Sequence, residues 1–346
     1  MKLTTAQKAF AAIIIANLIW GVAAVIFKVS LENIPPFTLA FWRFFLGAIL
    51  LALFLRKDAG LPTKNLKDLY LLIGYAFTGI TINIIFFFLG LRLTLSINSP
   101  IISSSQPLLI YLLALLFLRE KFYLNKMFGM ILGTAGIVLI VIEPLLLSKG
   151  SGNLTGNIFL VLATIAAVFQ TIIGKKVLSR VNPLAFTLWA FIVGAASFLP
   201  LAIYEFGTVP NLYQSLDMRG FAGIAFGSIF SSAVAYGLYA WGLSKINASD
   251  VSMFSYIDPV IGTVLGALVL HEPINSYFIW GSILIFGGIL IAEKRLHYHK
   301  FQPAWFMPNG LHASELPPKD STPQPHHPTK TKQEILSNIF GDSHKT

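Results

Sequence analysis

The chain has 346 residues, of which 55% are hydrophobic and 12% are charged, and its mean hydropathy is +0.72. Soluble globular domains carry about 25% charged residues, so this composition excludes an ordinary soluble enzyme and a disordered protein. The sequence contains no Cys, which excludes disulfides, thiolate metal sites and cysteine nucleophiles. The formal net charge of +10 comes without basic stripes or stacking motifs, so we expect a lipid bilayer and no nucleic acid as the partner.

Ten apolar runs follow one another along the chain. A bilayer core about 30 Å thick needs about 20 apolar residues per helix. Runs of this kind occupy residues 9–28, 36–55, 69–91, 96–118, 124–143, 154–174, 183–204, 219–242, 247–270 and 274–292. Lipid admits only helices or closed barrels, and runs this long without two-residue alternation are helical. The first run is too long for a signal peptide, so the sequence predicts an all-α polytopic membrane protein with ten transmembrane helices.

The positive charges give the orientation, because basic loops stay in the cytoplasm. With the N-terminus inside, 20 of the 25 Lys and Arg fall in segments on the cytoplasmic side and four in external loops, while Arg43 lies within the second run. We therefore expect a cell (inner) membrane protein with both termini cytoplasmic. From residue 293 onward the composition changes to His, Pro, Lys and Ser, which is typical of a disordered tail, 293–346.

The two halves of the chain repeat one another. Matched residues are 147 apart near the start of each half and 152 apart later, as in Lys28/Lys175, Pro36/Pro183, Trp42/Trp189, Gly90/Gly242, Ser103/Ser255, Pro107/Pro259, Glu120/Glu272, Gly129/Gly281 and Gly136/Gly288. Each half holds five runs, an odd number, so the second copy must cross the membrane in the opposite sense. We predict a 5+5 inverted repeat, with halves 1–148 and 149–292, a construction typical of secondary transporters.

Four segments carry a family resemblance. The chain reads WGVAAVIFK at 20–28, FTLAFWRFFLGAILL at 37–51, NSPIISSSQPLLIYLLALLFLREK at 98–121 and ASDVSMFSYIDPVIGTVLGALVLHEP at 248–273. In their order, spacing and duplication these segments resemble the EamA-type ten-helix permeases of the drug/metabolite transporter superfamily, over residues 8–295. The resemblance implies export of amino acids or related metabolites as a common activity, and it does not specify a substrate.

Two prolines fall near the middle of the fourth and ninth runs. Pro107 and Pro259 lack an amide hydrogen, so the carbonyls of Ser103 and Ser255 lose their usual helical partners. In lipid-buried helices such carbonyls bind hydroxyls, water or a solute, and binding sites form at these interruptions. The sequence thus favours a site near both kinks, and the alternative is a packing kink stabilised by neighbouring Ser side chains.

Beside these prolines lie Gln106 and Asp258, themselves a repeat pair. Asp258 is about eleven residues into its run and therefore roughly 16 Å deep, near the midplane. A carboxylate at this depth usually faces a wet cavity or a partner. We expect Asp258 to bind a substrate amine or carry a proton, and the alternative is a permanent structural pair with Arg43 or Lys28.

Two basic residues need partners in or near the membrane. Arg43 cannot shed its proton, so a structural or gating ion pair is favoured over direct substrate contact. Lys28 lies at the external end of its helix, where interfacial anchoring is the simple interpretation. The residues Asn17, Trp20, Ala24 and Lys28 nevertheless share one helical face, which predicts that this face lines a cavity.

Further cavity candidates come from the later helices. The face of the sixth helix that matches Asn17 and Lys28 carries Thr164, Thr171 and Lys175, and Tyr236 and Tyr239 lie along one stripe of the eighth. On that stripe we interpret Ser228 and Ser232 as packing residues. The glycines at 129, 133, 136, 281, 287 and 288 are likewise predicted to pack helices together.

The sequence predicts no catalytic residue, cofactor or metal. It has no phosphate-binding loop ending in Lys-Ser/Thr, no HExxH motif and no Asp cluster suited to magnesium. The predicted function is a secondary transporter that moves a small-molecule substrate, outward by preference, through alternating access. Coupling to protons is the main variant and facilitated diffusion the second. An intramembrane enzyme and a scaffold or sensor that works through its tail are the alternatives.

Overall fold

The computed structural model describes residues 4–117, 124–146, 152–246 and 257–293. Within these ranges every element is helical and no strand occurs, so the predicted all-α polytopic membrane fold is confirmed. The basic loop at 119–121, with Glu120, lies outside the described residues. So do Ser255 and, from residue 294 onward, the predicted tail.

The described part of the chain contains eleven α-helices, two of them with π-helical segments, and a short 3₁₀ helix, Arg56–Ala59, directly after the second. In order they are α1 (Thr5–Ser30), α2 (Pro36–Leu55), α3 (Leu66–Leu93), α4 (Asn98–Ser103), α5 (Gln106–Phe117), α6 (Leu124–Leu146), α7 (Leu154–Val177), α8 (Pro183–Thr208), α9 (Met218–Lys245), α10 (Ile257–Val269) and α11 (Ser276–Glu293). Within the described ranges, seven of them, α1 to α3 and α6 to α9, are long and apolar enough to cross a membrane. Helices α4 and α5 share the fourth predicted run, and α10 and α11 are shorter apolar helices.

Local sequence explains where several helices begin. The Thr4 hydroxyl accepts a hydrogen bond from the amide of Gln7, and the Gln7 side-chain oxygen accepts one from the Thr4 amide, so a capping box starts α1. Pro36 and Pro183 stand at the first positions of α2 and α8, where a missing amide hydrogen leaves no bond broken. The Asp217 carboxylate accepts from the Arg219 amide at the start of α9.

Helices α3 and α9 each contain a wider π-helical segment. In α3 this segment is Phe77–Ile82, and in α9 it is Gly227–Val234. The two segments lie at matching places of the sequence repeat, since residue 77 plus the offset of 152 falls inside the second. Segments of this kind are rare and occur frequently at functional sites. Each half therefore carries a π-helical segment in its third helix, α3 in the first half and α9 in the second.

Helices α2 and α8 run in opposite directions against each other. Near the end of α8, the Glu205 carboxylate accepts from the amides of Phe37 and Thr38 at the start of α2, at 3.2 and 2.6 Å. At the other end of the pair, the Trp189 indole donates to the carbonyl of Ala59, just after α2. We call the end of the bundle that holds Glu205 and the start of α2 the Lys28 end, and the opposite end the Lys175 end.

Glycines bring α6 and α11 into close contact. A methyl group added at Gly136 would lie 2.5 Å from the carbonyl oxygen of Gly281, and one at Gly288 would lie 2.4 Å from that of Gly129. The prediction of helix packing is confirmed for these four residues. It is wrong for Gly287, where an added methyl group would meet nothing within 4 Å.

The fourth predicted run is interrupted rather than kinked. Helix α4 ends at Ser103 and α5 starts at Gln106, and the hydroxyls of residues 103–105 donate to the carbonyls of residues 100–102. Pro107 is the second residue of α5, and Pro259 is the third residue of α10. The prediction that Pro107 lies mid-helix is therefore wrong, because it occupies a first turn, where a proline is tolerated. For Pro259 the mid-helix position stays a prediction, because residues 247–256 lie outside the described residues.

Candidate functional site

A cavity of about 160 Å³ lies in the middle of the bundle, large enough for a small organic molecule. Its walls come from both halves of the chain. Most of the residues predicted to bind or couple line it, namely Asn17, Trp20, Arg43, Ser103, Gln106, Tyr236, Tyr239 and Asp258. Lys28 does not line the cavity, and Ser255 lies outside the described residues.

Repeat-equivalent residues from both halves line this cavity. Pairs with both members in the wall, separated by 147 or 152 residues, are Asn17/Thr164, Trp20/Ala167, Ala23/Gln170, Ala24/Thr171, Ile84/Tyr236, Phe87/Tyr239 and Gln106/Asp258. The two halves thus contribute the same helix faces but different chemical groups. Trp20 is matched by Ala167, Tyr236 by Ile84, and Asp258 by Gln106.

The Asp258 carboxylate is unpaired within the described structure. Its Oδ1 atom is buried and has no hydrogen-bond partner among the described residues. The sequence offered Arg43 and Lys28 as permanent partners of Asp258. Arg43 instead donates hydrogen bonds to hydroxyls, and Lys28 donates to backbone carbonyls. A buried carboxylate without a partner is costly, and this cost is lifted when a proton, water or a bound cation neutralises or solvates it.

Arg43 is held by hydroxyls and aromatic rings. Its Nε donates to the hydroxyl of Ser232 at 2.9 Å and its Nη2 to that of Ser231 at 3.0 Å. Its guanidinium carbon also lies 4.8 to 5.9 Å from four ring centroids, those of Phe27, Phe44, Phe88 and Tyr236. The expected ion pair is absent from the described residues, because cation–π contacts of about 0.5 to 2 kcal/mol each take its place.

An aromatic cluster forms one side of the cavity. The Trp20 ring lies 5.2 Å from the rings of both Tyr236 and Tyr239. Its indole N–H donates to the carbonyl of Ser231, within the π-helical segment of α9. In the matching place, the Tyr236 hydroxyl donates to the carbonyl of Gly79, within the π-helical segment of α3. Each distorted segment therefore provides a carbonyl that orients an aromatic residue of the site.

Three polar wall residues were not predicted. Gln170, Asn83 and Ser231 all line the cavity. The Gln170 amide packs where a Cβ of Gly79 would stand, and its Nε2 is buried without a partner among the described residues. Asn83 donates to the carbonyl of Ala163. A side-chain amide inside an apolar run is the signal that could have revealed Gln170 and Asn83.

Lys28 and Lys175 bind helix ends instead of the cavity. Lys28 donates from Nζ to the carbonyls of Leu91, at 2.7 Å, and Thr94, at the end of α3. The expectation that its helical face carries it into the cavity is wrong, because the long side chain turns toward these unpaired terminal carbonyls. Lys175 donates in the same way to the carbonyls of Leu243 and Ile246 at the end of α9, at 3.2 and 2.8 Å.

Glu272 joins the two halves at the Lys28 end. His271 has a left-handed backbone (φ 53°), which ends α10 and turns Glu272 back toward the helix that follows α3. The Glu272 carboxylate accepts from the amides of Ser96 and Ile97 at 2.7 and 3.0 Å and from the Ser96 hydroxyl at 2.8 Å. The carboxylate thus holds the N-terminal side of α4, where helix amides are unpaired.

The same chain architecture is found in known proteins. The family model described as "EamA-like transporter family" matches two segments of the chain, residues 7–142 and 154–293. The chain belongs to the EamA-like transporter family. It is therefore a membrane transporter, and its family identifies no enzyme activity.

Several relatives are similar along almost their whole length. An uncharacterized transporter, YetK, of Bacillus subtilis (strain 168) is 26% identical over 286 residues, which are 82% of this chain and 86% of that protein. An uncharacterized transporter of Archaeoglobus fulgidus is 28% identical, over 80% and 95%. A probable amino-acid metabolite efflux pump of Escherichia coli (strain K12) is 23% identical, over 82% and 93%.

A solved crystal structure shares the fold. It superimposes with a TM-score of 0.60 at 18% identity and covers 84% of this chain and 98% of its own. This likeness shows the arrangement of helices, and the family match shows the class of transporter.

Proposed function

We propose that this EamA-like transporter carries a small polar or amphipathic metabolite outward across the cell membrane by alternating access, with both termini in the cytoplasm. The observation that carries the proposal is the central cavity, whose walls combine repeat-equivalent residues from both halves. A site shared by two matching halves can open to either side when the halves exchange conformations.

The proposal treats residues 1–148 and 149–292 as inverted halves. Three observations support this division. Helices α2 and α8 run antiparallel through the Glu205 and Trp189 contacts. Lys28 and Lys175 make equivalent bonds at opposite ends of the bundle. The family model also matches the chain twice, once in each half.

Bonds between the halves hold the Lys28 end together. Glu272 binds the start of α4, and Glu205 binds the start of α2. Glu32 forms an ion pair with Arg219 at 2.9 Å in the same region. In the proposed cycle these bonds break when the Lys28 end opens. We assign this end to the outside of the cell, since the basic loops of the sequence belong to the other end.

Asp258 is the proposed coupling residue. Its carboxylate lies in the cavity wall with no partner among the residues that the structure describes, and moving a charge through a membrane without neutralising it is costly. A proton gradient can drive the cycle if Asp258 exchanges a proton for substrate. Amino acids and related metabolites are the first substrates to test, because the efflux relative in Escherichia coli carries that description.

Flux into proteoliposomes tests the proposal. The purified full chain is reconstituted and challenged with labelled amino acids, nucleosides, sugars and cationic drugs under several pH gradients. We expect saturable flux of at least one class that responds to the gradient and loses this response in Asp258→Asn. Asp58→Asn, which changes an exposed carboxylate outside the cavity, is the matched control. Chemical conversion of a labelled compound without its flux into the liposomes would overturn the transport proposal. A response of flux to the pH gradient that survives Asp258→Asn would overturn the coupling role of Asp258.

A further inference from the structure

We propose that the cavity selects its solute by an ammonium group, which binds the Asp258 carboxylate while the solute's apolar body lies against Trp20 and Tyr239. The proposal rests on the proposed transport function and deepens it, because it names the chemical feature that the carrier recognises. A carboxylate on the solute is not required for binding.

The first step of the argument is the charge of Asp258. Its Oδ1 atom is buried in the cavity wall and has no hydrogen-bond partner among the described residues. Arg43 is engaged with Ser231 and Ser232, and Lys28 with carbonyls at the end of α3. A buried anion that the described residues leave unpaired is complementary to a cation with hydrogen-bond donors, and an ammonium group supplies three of them.

The second step is the aromatic surface beside this carboxylate. The polar atoms of Trp20 and Tyr239 already have partners within the protein. Trp20 Nε1 donates to the Ser231 carbonyl, and the Tyr239 and Thr171 hydroxyls are hydrogen-bonded at 3.4 Å. What these residues still offer to a solute is the surface of their rings. Ring faces attract cations and also bury apolar groups, so they suit an organic ammonium with an apolar body.

The third step concerns anions. Among the described residues that line the cavity, Arg43 alone carries a guanidinium, and its charge is already met by two hydroxyls and four aromatic rings. An anionic solute would have to displace these contacts and would also face the Asp258 carboxylate. The buried Gln170 Nε2, which has no partner among the described residues, can donate to a hydroxyl or carbonyl oxygen on a cationic solute.

Two probes of similar size and opposite charge test the proposal. Calorimetry on the purified full chain in detergent compares phenethylamine with 3-phenylpropionate, which share a ring and a short chain. We expect the amine to bind at least about tenfold more tightly, because a charged hydrogen bond contributes that much or more. Asp258→Asn should lower amine affinity by about tenfold, and Asp58→Asn should leave it unchanged. Equal binding of both probes, or amine binding that survives Asp258→Asn, would overturn the proposal.

Tyr239 provides a second variant in case the Asp258 substitution impairs folding. Tyr239→Leu removes the ring and should lower amine affinity about fivefold. If Tyr239→Leu binds the amine as wild type does, the aromatic part of the proposal is wrong. Binding in detergent is independent of flux in liposomes. Amine selectivity without flux would therefore contradict transport alone, and flux without amine selectivity would contradict this inference alone.

Discussion

Lys28 and Lys175, which are 147 residues apart, make the same bond at opposite ends of the bundle. Each ammonium group binds the carbonyls that end a neighbouring helix of its own half, α3 for Lys28 and α9 for Lys175. The last carbonyls of a helix have no intrahelical partner, and a lysine is well suited to bind them. Within each half the bond ties the first helix to the third, so the two should move together.

Removing one of these lysines should destabilise the protein. Lys175→Met leaves the carbonyls of Leu243 and Ile246 without their donor, and we expect a loss of about 1–3 kcal/mol in the free energy of unfolding. Thermal unfolding in detergent measures this loss. The neighbouring Lys176→Met is the matched control, because Lys176 is exposed. Equal midpoints for the two variants would show that the bond contributes no stability.

Weakening the Glu272 contact should favour opening of the Lys28 end. Glu272→Gln removes the charge that holds the amides of Ser96 and Ile97, whose bonds to a carboxylate are stronger than those to an amide. The chain has no Cys, so Ser99→Cys in the cavity wall reports access without background. We expect an impermeant thiol reagent, added outside cells, to label it several times faster with Glu272→Gln.

The control for this experiment is a charge at the same end that forms a weaker contact. Glu32→Gln removes an exposed ion pair with Arg219, and exposed pairs contribute about 0–1 kcal/mol. Its labelling rate should stay within about twofold of the parent. If Glu32→Gln accelerates labelling as much as Glu272→Gln does, the Glu272 contact has no special part in closing this end.

Gly79 makes room for Gln170. A methyl group at Gly79 would lie 1.7 Å from the Gln170 amide carbon, so Gly79→Ala must push this amide out of place. We expect a loss of about 1–3 kcal/mol in the free energy of unfolding. Adding Gln170→Ala should restore most of it, because the clashing group is gone. Gly207→Ala, where nothing lies within 4 Å, is the control. Purely additive losses in the double variant would contradict this account.

Arg43 cannot be replaced by lysine without loss. Lysine keeps the charge but lacks the planar fork that reaches both Ser231 and Ser232 and lies over aromatic rings. We expect Arg43→Lys to lower the free energy of unfolding by about 1–3 kcal/mol, as measured by thermal unfolding in detergent. Arg92→Lys, at an exposed position, should change it by less than about 0.5 kcal/mol. A similarly small change in the free energy of unfolding for both substitutions would contradict the structural role of Arg43.

Much of the fold could be predicted because lipid allows few choices. Apolar runs of sufficient length gave the helices, and Gly136 and Gly288 were predicted as helix-packing positions, which the close contact of α6 with α11 confirms. The π-helical segments could not be predicted, since an apolar run shows no periodicity that separates them from α-helix. The break between α4 and α5 was missed because Pro107 was placed in a continuous helix.

The candidate site was predicted in part. A carboxylate at mid-membrane depth identified Asp258, and helical spacing identified Trp20 and Tyr239 as cavity residues. Helical spacing alone wrongly placed Lys28 in the cavity wall. Residues on one helical face need not lie at one depth, and a long side chain can turn along the helix. The surroundings of Arg43 depend on rings from three other helices, which no local pattern in the sequence brings together.

Access to Ser103 from both sides of the membrane tests the central claim most directly. Ser103→Cys places a single thiol in the wall of the central cavity of an otherwise cysteine-free chain. In proteoliposomes of defined orientation, an impermeant thiol reagent is added outside or trapped inside. Alternating access predicts labelling from either side, slowed in both cases by a transported solute. Labelling from one side alone, unchanged by any transported solute, would contradict the account.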